Sequence, residues 1–370
     1  MSEKNPLRHL ASLGQSVWLD FIERGFIRQG TLRRLIEEDA VSGVTSNPAI
    51  FQKAIAKNQS YEESIARELR AGHSVAQMHE ALIIEDIIAA ADELKSVYKQ
   101  TDGADGFVSL EVSPLLARDT EGTYREAKQL WARVDRENLM VKVPGTAEGV
   151  SAIRRLIADG ININITLLFS VDRYAEVHEA YLQGLEDRVR RNQPVDRIAS
   201  VASFFLSRID TLLDPKLERA TDPEIKKLTG ECALICARAA YANYCETVSS
   251  ARWKALASRG AKPQRLLWAS TGTKNPNYSD VKYVEALIGP DTVTTLPPET
   301  LDAYREHGDP AARLDCSKHQ DTAMAAMQGQ LERAGVDWHA VAKELEEDGI
   351  KKFVAPHEAI LATLSERIAR

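Results

Sequence analysis

The sequence predicts an α/β fold, a (β/α)8 barrel of the TIM type with additional helices after strand two and at the C-terminus. Eight short runs rich in β-branched residues recur along the 370 residues, and segments with a 3.6-residue periodicity separate them. A doubly wound open sheet is the alternative, but it usually carries a Gly-rich phosphate loop after an early strand, and the sequence has no such motif. The predicted strands are 16–20, 42–47, 107–112, 139–143, 161–168, 198–205, 266–270 and 292–296.

The segments between the strands are helical, and some are longer than a simple crossover needs. Residues 31–38 carry Leu32, Leu35 and Ile36 on one helical face, whereas 52–98 is long enough for two or three helices. The stretch 223–259 is a second long helical region. The chain after the eighth strand is helical again, and we expect a last helix over 356–370.

The chain shows few signs of division into separate units. The short segment 308–317 is the only candidate boundary, and no low-complexity linker is present. We therefore expect a single barrel domain over residues 1–370, with a C-terminal helical extension at about 309–370.

Composition and charge exclude several classes of partner. The formal net charge is -7, with acidic and basic residues interspersed, which argues against binding to nucleic acid or to an anionic membrane. No apolar stretch approaches the ~20 residues of a membrane span. Residues 1–6 lack the apolar core of a signal peptide. We expect a cytoplasmic protein with small-molecule substrates.

The four cysteines lie at 232, 236, 245 and 316, without CxxC spacing. Three of them fall in one helical stretch. Reduced thiols are the simplest expectation for a cytoplasmic protein.

Lys142 is the most informative residue, because it interrupts an apolar run that ends at Pro144 and Gly145. Burying an ammonium group is costly unless the group is paired or neutralised. We therefore expect Lys142 either to form an ion pair or to have a lowered pKa. A neutral amine is a nucleophile that forms a Schiff base with a carbonyl compound.

Polar side chains alternate with apolar ones along the predicted strands. In the fifth strand Asn162, Asn164 and Thr166 share one parity, as do Ser109 and Glu111 in the third. Helices cover the outside of a barrel, so we expect these polar columns to face its interior. Parallel strands converge at the C-terminal rim, where barrel active sites lie. The polar residues expected there are Asp20, Asn47, Glu111, Lys142, Thr166 and Ser203.

These residue types suit imine and enamine chemistry. Asp20 and Glu111 are the available carboxylates for proton transfer, and Thr166 could orient a water molecule. The eight histidines fall in helices or loops, and no metal-ligand spacing is present, so we expect neither a metal nor a cofactor.

Two segments are candidate anion sites. Arg208 follows the sixth strand and could bind a phosphate with two hydrogen bonds, although a surface pair with Asp210 is the alternative. Lys274, in the loop 270–276, could supply a point charge to an anion, but a solvated turn is at least as reasonable.

Five strand-end motifs together resemble those of the transaldolases, in the bacterial long-form branch of the Schiff-base aldolases. They occur in the expected order, and the segment Ser270–Asp280 also fits one branch of the family. The resemblance implies a barrel whose fourth strand carries the Schiff-base lysine, which is where Lys142 falls. The motifs are Gly43–Pro48, Ser109–Val112, Val141–Thr146, Asn162–Ser170 and Ser203–Arg208.

The resemblance also implies an activity and partners. It implies transfer of a dihydroxyacetone unit from a ketose phosphate (sedoheptulose 7-phosphate or fructose 6-phosphate) to an aldose phosphate (glyceraldehyde 3-phosphate or erythrose 4-phosphate) in the pentose phosphate pathway. It leaves open whether the protein is a monomer or a homodimer.

Carried over by position, the resemblance assigns a role to each site residue. Lys142 would form the imine, Asp20 would transfer the proton in carbon–carbon cleavage, and Glu111 with Thr166 would handle the catalytic water. The remaining residues would contact the substrate. Asn47 and Asn164 would bind the hydroxyls of the three-carbon unit, and Ser203 and Arg208 would bind the phosphate.

Two alternatives stay open at this point. A fructose 6-phosphate aldolase shares the fold, but that branch is shorter and carries an amide at the position of Glu111. The other alternative is a barrel that serves as a non-catalytic scaffold. Formation of a Schiff base on Lys142 would distinguish an enzyme from such a scaffold.

Overall fold

The protein is a closed barrel of eight parallel strands in the order in which they occur in the chain. This computed structural model describes residues 5–57, 59–318 and 323–368. The predicted fold class is confirmed, and each strand overlaps its predicted run. The strands are β1 Gln15–Leu19, β2 Val41–Val44, β3 Phe107–Glu111, β4 Leu139–Pro144, β5 Ile163–Leu168, β6 Ser200–Phe205, β7 Arg265–Ala269 and β8 Thr292–Leu296.

Helices alternate with the strands and cover the outside of the barrel. Strands β3 to β6 are buried along their whole length, because helices pack on one face and the barrel interior fills the other. The first nine helices are α1 Pro6–Ser12, α2 Arg24–Arg28, α3 Thr31–Asp39, α4 Pro48–Lys57, α5 Glu62–Arg70, α6 Val75–Gln100, α7 Thr120–Val134, α8 Ala147–Asp159 and α9 Val171–Arg190. They are followed by α10 Ser207–Leu217, α11 Pro223–Lys226, α12 Cys232–Ser249, α13 Ala251–Ala257, α14 Lys282–Glu285, α15 Pro298–His307, α16 Ala323–Arg333 and α17 Trp338–Ile368.

Side-chain caps fix where the crossover helices begin on the C-terminal side of the barrel. Thr146 accepts a hydrogen bond from the backbone N–H of Gly149 at the start of α8. Ser170 does the same for Arg173 at the start of α9. These caps satisfy N–H groups that a helix leaves unpaired in its first turn. By fixing the starts of α8 and α9, the caps also fix the ends of β4 and β5, the two strands that carry the central site residues.

The additional helices lie where the sequence predicts them. Three helices, α4 to α6, follow β2, and α16 and α17 follow the barrel. The predicted start of a last helix at Pro356 is wrong, since α17 runs from Trp338 to Ile368 and contains that proline. Proline removes one intrahelical hydrogen bond, and packing of α17 against α4 and α6 supports the helix through it. Among the helices of the described residues, none has the length and apolar character to cross a membrane.

A disulfide joins the C-terminal extension to the barrel. The Sγ atoms of Cys245 on α12 and Cys316 are bonded, with Cα atoms 5.4 Å apart. The prediction of reduced thiols is therefore wrong for these two residues, while Cys232 and Cys236 are buried thiols on α12. The two bonded cysteines are 71 residues apart in sequence. Only the return of the chain after β8 brings them together, so their spacing gave no signal.

Reduction of this disulfide should loosen the segment that leads into α16. A cross-link of this kind typically contributes roughly 2–4 kcal/mol to the free energy of unfolding. We expect dithiothreitol to lower that free energy, measured by urea denaturation, and to speed proteolysis near residue 316. Cys316→Ser should show the same loss without reductant and no further loss with it. Equal stability of the wild-type protein in both conditions would contradict this prediction.

Candidate active site

The register of three strands places Glu111, Lys142 and Asn164 side by side. β3 pairs Glu111 with Lys142, and β4 pairs Lys142 with Asn164. Paired residues of neighbouring strands point to the same face, and all three side chains are buried. The predicted polar columns of the third and fifth strands therefore meet at Lys142.

Lys142 is held by one hydrogen bond and one nearby carboxylate. Its side chain is 6% exposed, and Nζ donates to the carbonyl oxygen of Ser46 at 3.0 Å. An oxygen of Glu111 lies 3.8 Å from Nζ, within ion-pair distance. One side of the amine faces a cavity of about 90 Å³. The amine is therefore positioned by two groups and still accessible from the cavity.

The cavity collects most of the predicted site residues at the C-terminal rim. Thr166 is buried two pairs beyond Asn164 along β5, opposite Pro144. Lys274 is exposed and does not line the cavity, although its charge affects Asp20. The predicted residues that line the cavity are Asp20, Asn47, Lys142, Ser203 and Arg208.

Four buried polar atoms of the site have no hydrogen-bond partner within the protein. They are both carboxylate oxygens of Glu111, Oγ1 of Thr166 and Nη1 of Arg208. Buried polar groups in native proteins are rarely left unpaired, because each such group costs free energy. Their concentration around Lys142 indicates a place for a polar ligand and for water.

Burial raises the pKa of both site carboxyls. The pKa of Glu111 rises to about 7 because the group is desolvated, while the charges of Lys142 and Arg208 act in the opposite direction. Desolvation also raises the pKa of Asp20, again against the charge of Lys142. A carboxyl with a pKa of about 7 next to an amine, as at Glu111, can both donate and accept a proton near neutral pH.

Arg208 is held by aromatic rings rather than by an ion pair. Its guanidinium carbon lies 5.1 Å from the ring centre of Phe205 and 5.8 Å from that of Phe353. The alternative pair with Asp210 does not form, because that carboxylate accepts hydrogen bonds from Ala233 N–H and the Tyr283 hydroxyl. The guanidinium thus keeps donors for an anion.

A chain of hydrogen bonds orients Asn164. Its Nδ2 donates to the hydroxyl of Ser109 at 2.9 Å, and its Oδ1 accepts from Ser203 at 2.7 Å. Because the one hydroxyl hydrogen of Ser203 is given to Asn164, Ser203 would have to exchange partners to donate to a phosphate. Asn47, whose Oδ1 accepts a hydrogen bond from Ile50 N–H, also lines the cavity.

Strand β5 departs from regular pairing just beyond Thr166. The register with β6 shifts between Ile165 and Leu168, and Leu167 has a φ of 61°. A left-handed conformation is unfavourable for a leucine and is often found next to active sites. The irregularity lies where β5 delivers Thr166 to the rim.

A second cavity of about 380 Å³ shares Asn47 with the first and is lined by Glu111, which does not line the first. The histidines of the described residues lie in helices or loops, as predicted, and His319 lies outside those residues. His79 and His357 nevertheless line this second cavity. Burial lowers the pKa of His79 to about 4, so its imidazole is neutral near pH 7. Within the described residues, no group of three or more His, Cys, Asp or Glu side chains is arranged to hold a metal ion.

Sequence reasoning missed three contributors to the site. The carbonyl of Ser46 binds Lys142, and a backbone group leaves no trace in the side-chain pattern. Phe205 shares the parity of Ser203 on β6, so its inward position could have been inferred. Phe353 comes from α17, which carries no motif that points to the site.

Glu111→Gln should remove a pH dependence from the free energy of unfolding. Because the pKa of Glu111 is raised from 4.5 to about 7, the native state binds this proton more tightly than the unfolded state. Stability should therefore fall as the pH rises through this window, by up to about 3 kcal/mol. Urea denaturation of both proteins between about pH 5 and pH 8 measures the slope. Parallel curves for the two proteins would contradict the prediction.

Comparison with known proteins agrees with this geometry. Residues 17–364 match the family model described as "Transaldolase/Fructose-6-phosphate aldolase". A protein of Trichodesmium erythraeum named "Transaldolase" is 44% identical, covering 99% of this chain and 98% of the relative. Relatives of the same name from Thiobacillus denitrificans and Thermobifida fusca are 47% and 46% identical, over 97% and 99% of this chain and 99% of each relative. The chain therefore belongs to the transaldolase/fructose-6-phosphate aldolase family.

Proposed function

We propose that this enzyme, a transferase with transaldolase function, moves a dihydroxyacetone unit from a ketose phosphate to an aldose phosphate through an imine on Lys142. Sedoheptulose 7-phosphate or fructose 6-phosphate would be the donor. Glyceraldehyde 3-phosphate or erythrose 4-phosphate would be the acceptor, as in the pentose phosphate pathway. One observation carries the proposal: a buried lysine amine faces a cavity beside two carboxyls whose pKa values are raised by burial.

Imine formation requires an amine, a proton donor and a place for water. The Lys142 lone pair attacks the ketose carbonyl carbon, and the resulting carbinolamine loses its hydroxyl group as water. Glu111 in its acid form donates the proton to that leaving group, since its pKa of about 7 keeps a protonated fraction near neutral pH. The unpartnered hydroxyl of Thr166 is available to orient the water.

Carbon–carbon cleavage requires a base within the cavity. Asp20 lines the cavity together with Lys142. Its carboxylate would accept the proton from the hydroxyl on the carbon β to the imine carbon. The bond then breaks, its electron pair moves into the iminium group, and an enamine and a free aldose phosphate result. Attack of the enamine on a new aldehyde reverses these steps, with Asp20 returning the proton.

Different residues would bind the three-carbon unit and the phosphate of the substrate. Asn164, fixed by Ser109 and Ser203, and Asn47 would bind hydroxyls of the three-carbon unit. Arg208 would bind the phosphate through the donors that no protein group occupies. Ser203 would join it after exchanging its partner, and the exposed Lys274 would add charge at the rim.

Transfer is favoured over release of free dihydroxyacetone. The structure holds a carboxyl, Glu111, beside the amine, and the curated relatives of nearly equal length carry the name transaldolase. A non-catalytic scaffold would have no need of four unpartnered polar atoms around a lysine.

The remaining expectations concern the protein as a whole. We infer one domain with a C-terminal extension at about 309–370, present as a monomer or a homodimer in the cytoplasm. Analytical ultracentrifugation separates the two oligomeric states. The Cys245–Cys316 bond is unusual for a cytoplasmic protein, so alkylation of thiols in freshly lysed cells tests location and disulfide together.

Borohydride should trap substrate on Lys142. Reduction of the imine in the presence of dihydroxyacetone or fructose 6-phosphate makes a stable secondary amine, and peptide mass spectrometry should find the added mass on Lys142. Lys142→Met keeps the side-chain volume without the amine and should not be labelled. Failure to label the wild-type protein with any ketose would overturn the proposed function.

Turnover without an acceptor distinguishes the transferase from the aldolase. With fructose 6-phosphate alone, we expect at most about one equivalent of aldose phosphate per active site and little free dihydroxyacetone. Addition of erythrose 4-phosphate or glyceraldehyde 3-phosphate should then start steady turnover. Rapid continuous release of dihydroxyacetone without acceptor would support the aldolase instead.

Arg208→Ala should act mainly on phosphorylated substrates. The loss of a charge-assisted, two-pronged contact typically costs a few kcal/mol, so the KM for fructose 6-phosphate should rise about 10- to 100-fold. Turnover of unphosphorylated fructose should change little. Arg208→Lys keeps the positive charge but loses the two-pronged geometry of the guanidinium. Its KM for fructose 6-phosphate should therefore lie between those of the wild type and Arg208→Ala. Equal effects on both sugars would exclude the phosphate role.

A further inference from the structure

We propose that Phe353 on α17 is a specificity-determining residue that closes the catalytic cavity and keeps bulk solvent from the enamine held on Lys142. The proposal rests on the imine mechanism above and adds the reason why transfer prevails over hydrolysis. Among the described residues that line the cavity, Phe353 is the one that the C-terminal extension supplies. The others come from the strands and the segments that follow them.

The ring of Phe353 lies over both cations of the site. Its centre is 5.8 Å from Nζ of Lys142 and 5.8 Å from the guanidinium carbon of Arg208. The side chain is 4% exposed. An apolar ring here contacts the region between the imine and the proposed phosphate anchor, which the substrate must occupy. Phe353 is therefore positioned to touch substrate rather than to support the fold alone.

Specific contacts hold α17 in place over the rim. Glu346 pairs with Arg118 at 2.7 Å and approaches Arg173 at 4.0 Å, so it bridges the segments after β3 and β5. Gly349 lies four residues before Phe353, on the same helix face. A Cβ atom at Gly349 would come within 2.9 Å of Leu167 Cδ2 and 3.5 Å of Arg208 Nη1. The glycine thus lets the helix approach the rim closely.

The size of the cavity implies that this cover moves. Its volume is about 90 Å³, whereas sites for small organic ligands are typically about 300–1,000 Å³. This cavity alone therefore holds a sugar phosphate only if part of its wall shifts. The strands that line it are buried and mutually paired, so we place the shift in the segments at the rim, of which α17 carries Phe353. Return of the ring after the first aldose leaves would close the site around the enamine.

The closed ring would decide between two fates of the three-carbon unit. In transfer, the enamine carbon attacks the acceptor aldehyde, and the new alkoxide takes a proton from Asp20. In hydrolysis, the enamine carbon is protonated and water adds to the imine carbon. A proton then moves to Nζ, the carbon–nitrogen bond breaks, and dihydroxyacetone leaves with the free amine of Lys142. Transfer also ends with hydrolysis of the product imine, so the two fates differ at the enamine carbon, which either attacks the acceptor or takes a proton from solvent. An apolar ring excludes the solvent that would supply that proton, so it disfavours the second path.

Enlarging the cavity at Phe353 should shift this partition. We expect Phe353→Ala to raise the ratio of free dihydroxyacetone released to product transferred by about tenfold, and Phe353→Leu to raise it less. Gly349→Val leaves the ring intact but displaces the helix from Leu167, and should raise the same ratio. Both products are measured in one reaction with fructose 6-phosphate and erythrose 4-phosphate.

A matched control variant distinguishes the loss of the ring that closes the cavity from a general loss of stability. Leu364 is fully buried on α17 and lies about 16 Å further along the helix from Phe353, so Leu364→Ala should weaken packing without changing the ratio. Equal ratios in Phe353→Ala, Leu364→Ala and the wild type would overturn this proposal. Borohydride labelling of Lys142 in each variant keeps the two proposals apart, because absent labelling in the wild type counts against the imine itself.

Discussion

The site depends on one constraint: Lys142 and Glu111 must share a buried place at the end of paired strands. Both side chains are nearly inaccessible, and their charged atoms are 3.8 Å apart. Such a pair is costly to bury, and the attraction between the charges compensates for desolvation only in part. Neither oxygen of Glu111 has a hydrogen bond to the protein. The fold therefore maintains a pair whose carboxylate oxygens no protein group satisfies, and both are available to polar substrate atoms.

Much of this arrangement could be predicted, because it follows from strand parity. The alternation of polar and apolar residues on β3 and β5 places Glu111 and Asn164 on the inner face, and parallel pairing then brings them to Lys142. The position of Arg208 after β6 follows from the same logic. Periodicity and register are local properties of sequence, so one chain suffices to infer them.

What could not be predicted involves contacts between segments distant in sequence. Phe353 reaches the cavity only because α17 returns across the rim, and its packing residues look like those of any amphipathic helix. The bond between Cys245 and Cys316 depends on the same return of the chain. The bend of β5 at Leu167 was also hidden, since a leucine in the left-handed region has no sequence signal.

The cover and the proton chemistry are physically coupled. Desolvation is the main cause of the raised pKa of Glu111 and of Asp20, and Phe353 contributes to the dry wall above Lys142. When α17 moves to admit substrate, water reaches the carboxyls and their pKa values return toward ordinary values. When it closes, desolvation again raises both pKa values, and Glu111, with a pKa of about 7, can hold and release a proton near neutral pH. Closure thus excludes solvent from the enamine and prepares the acid–base groups in the same movement, because both effects follow from removing solvent around Lys142.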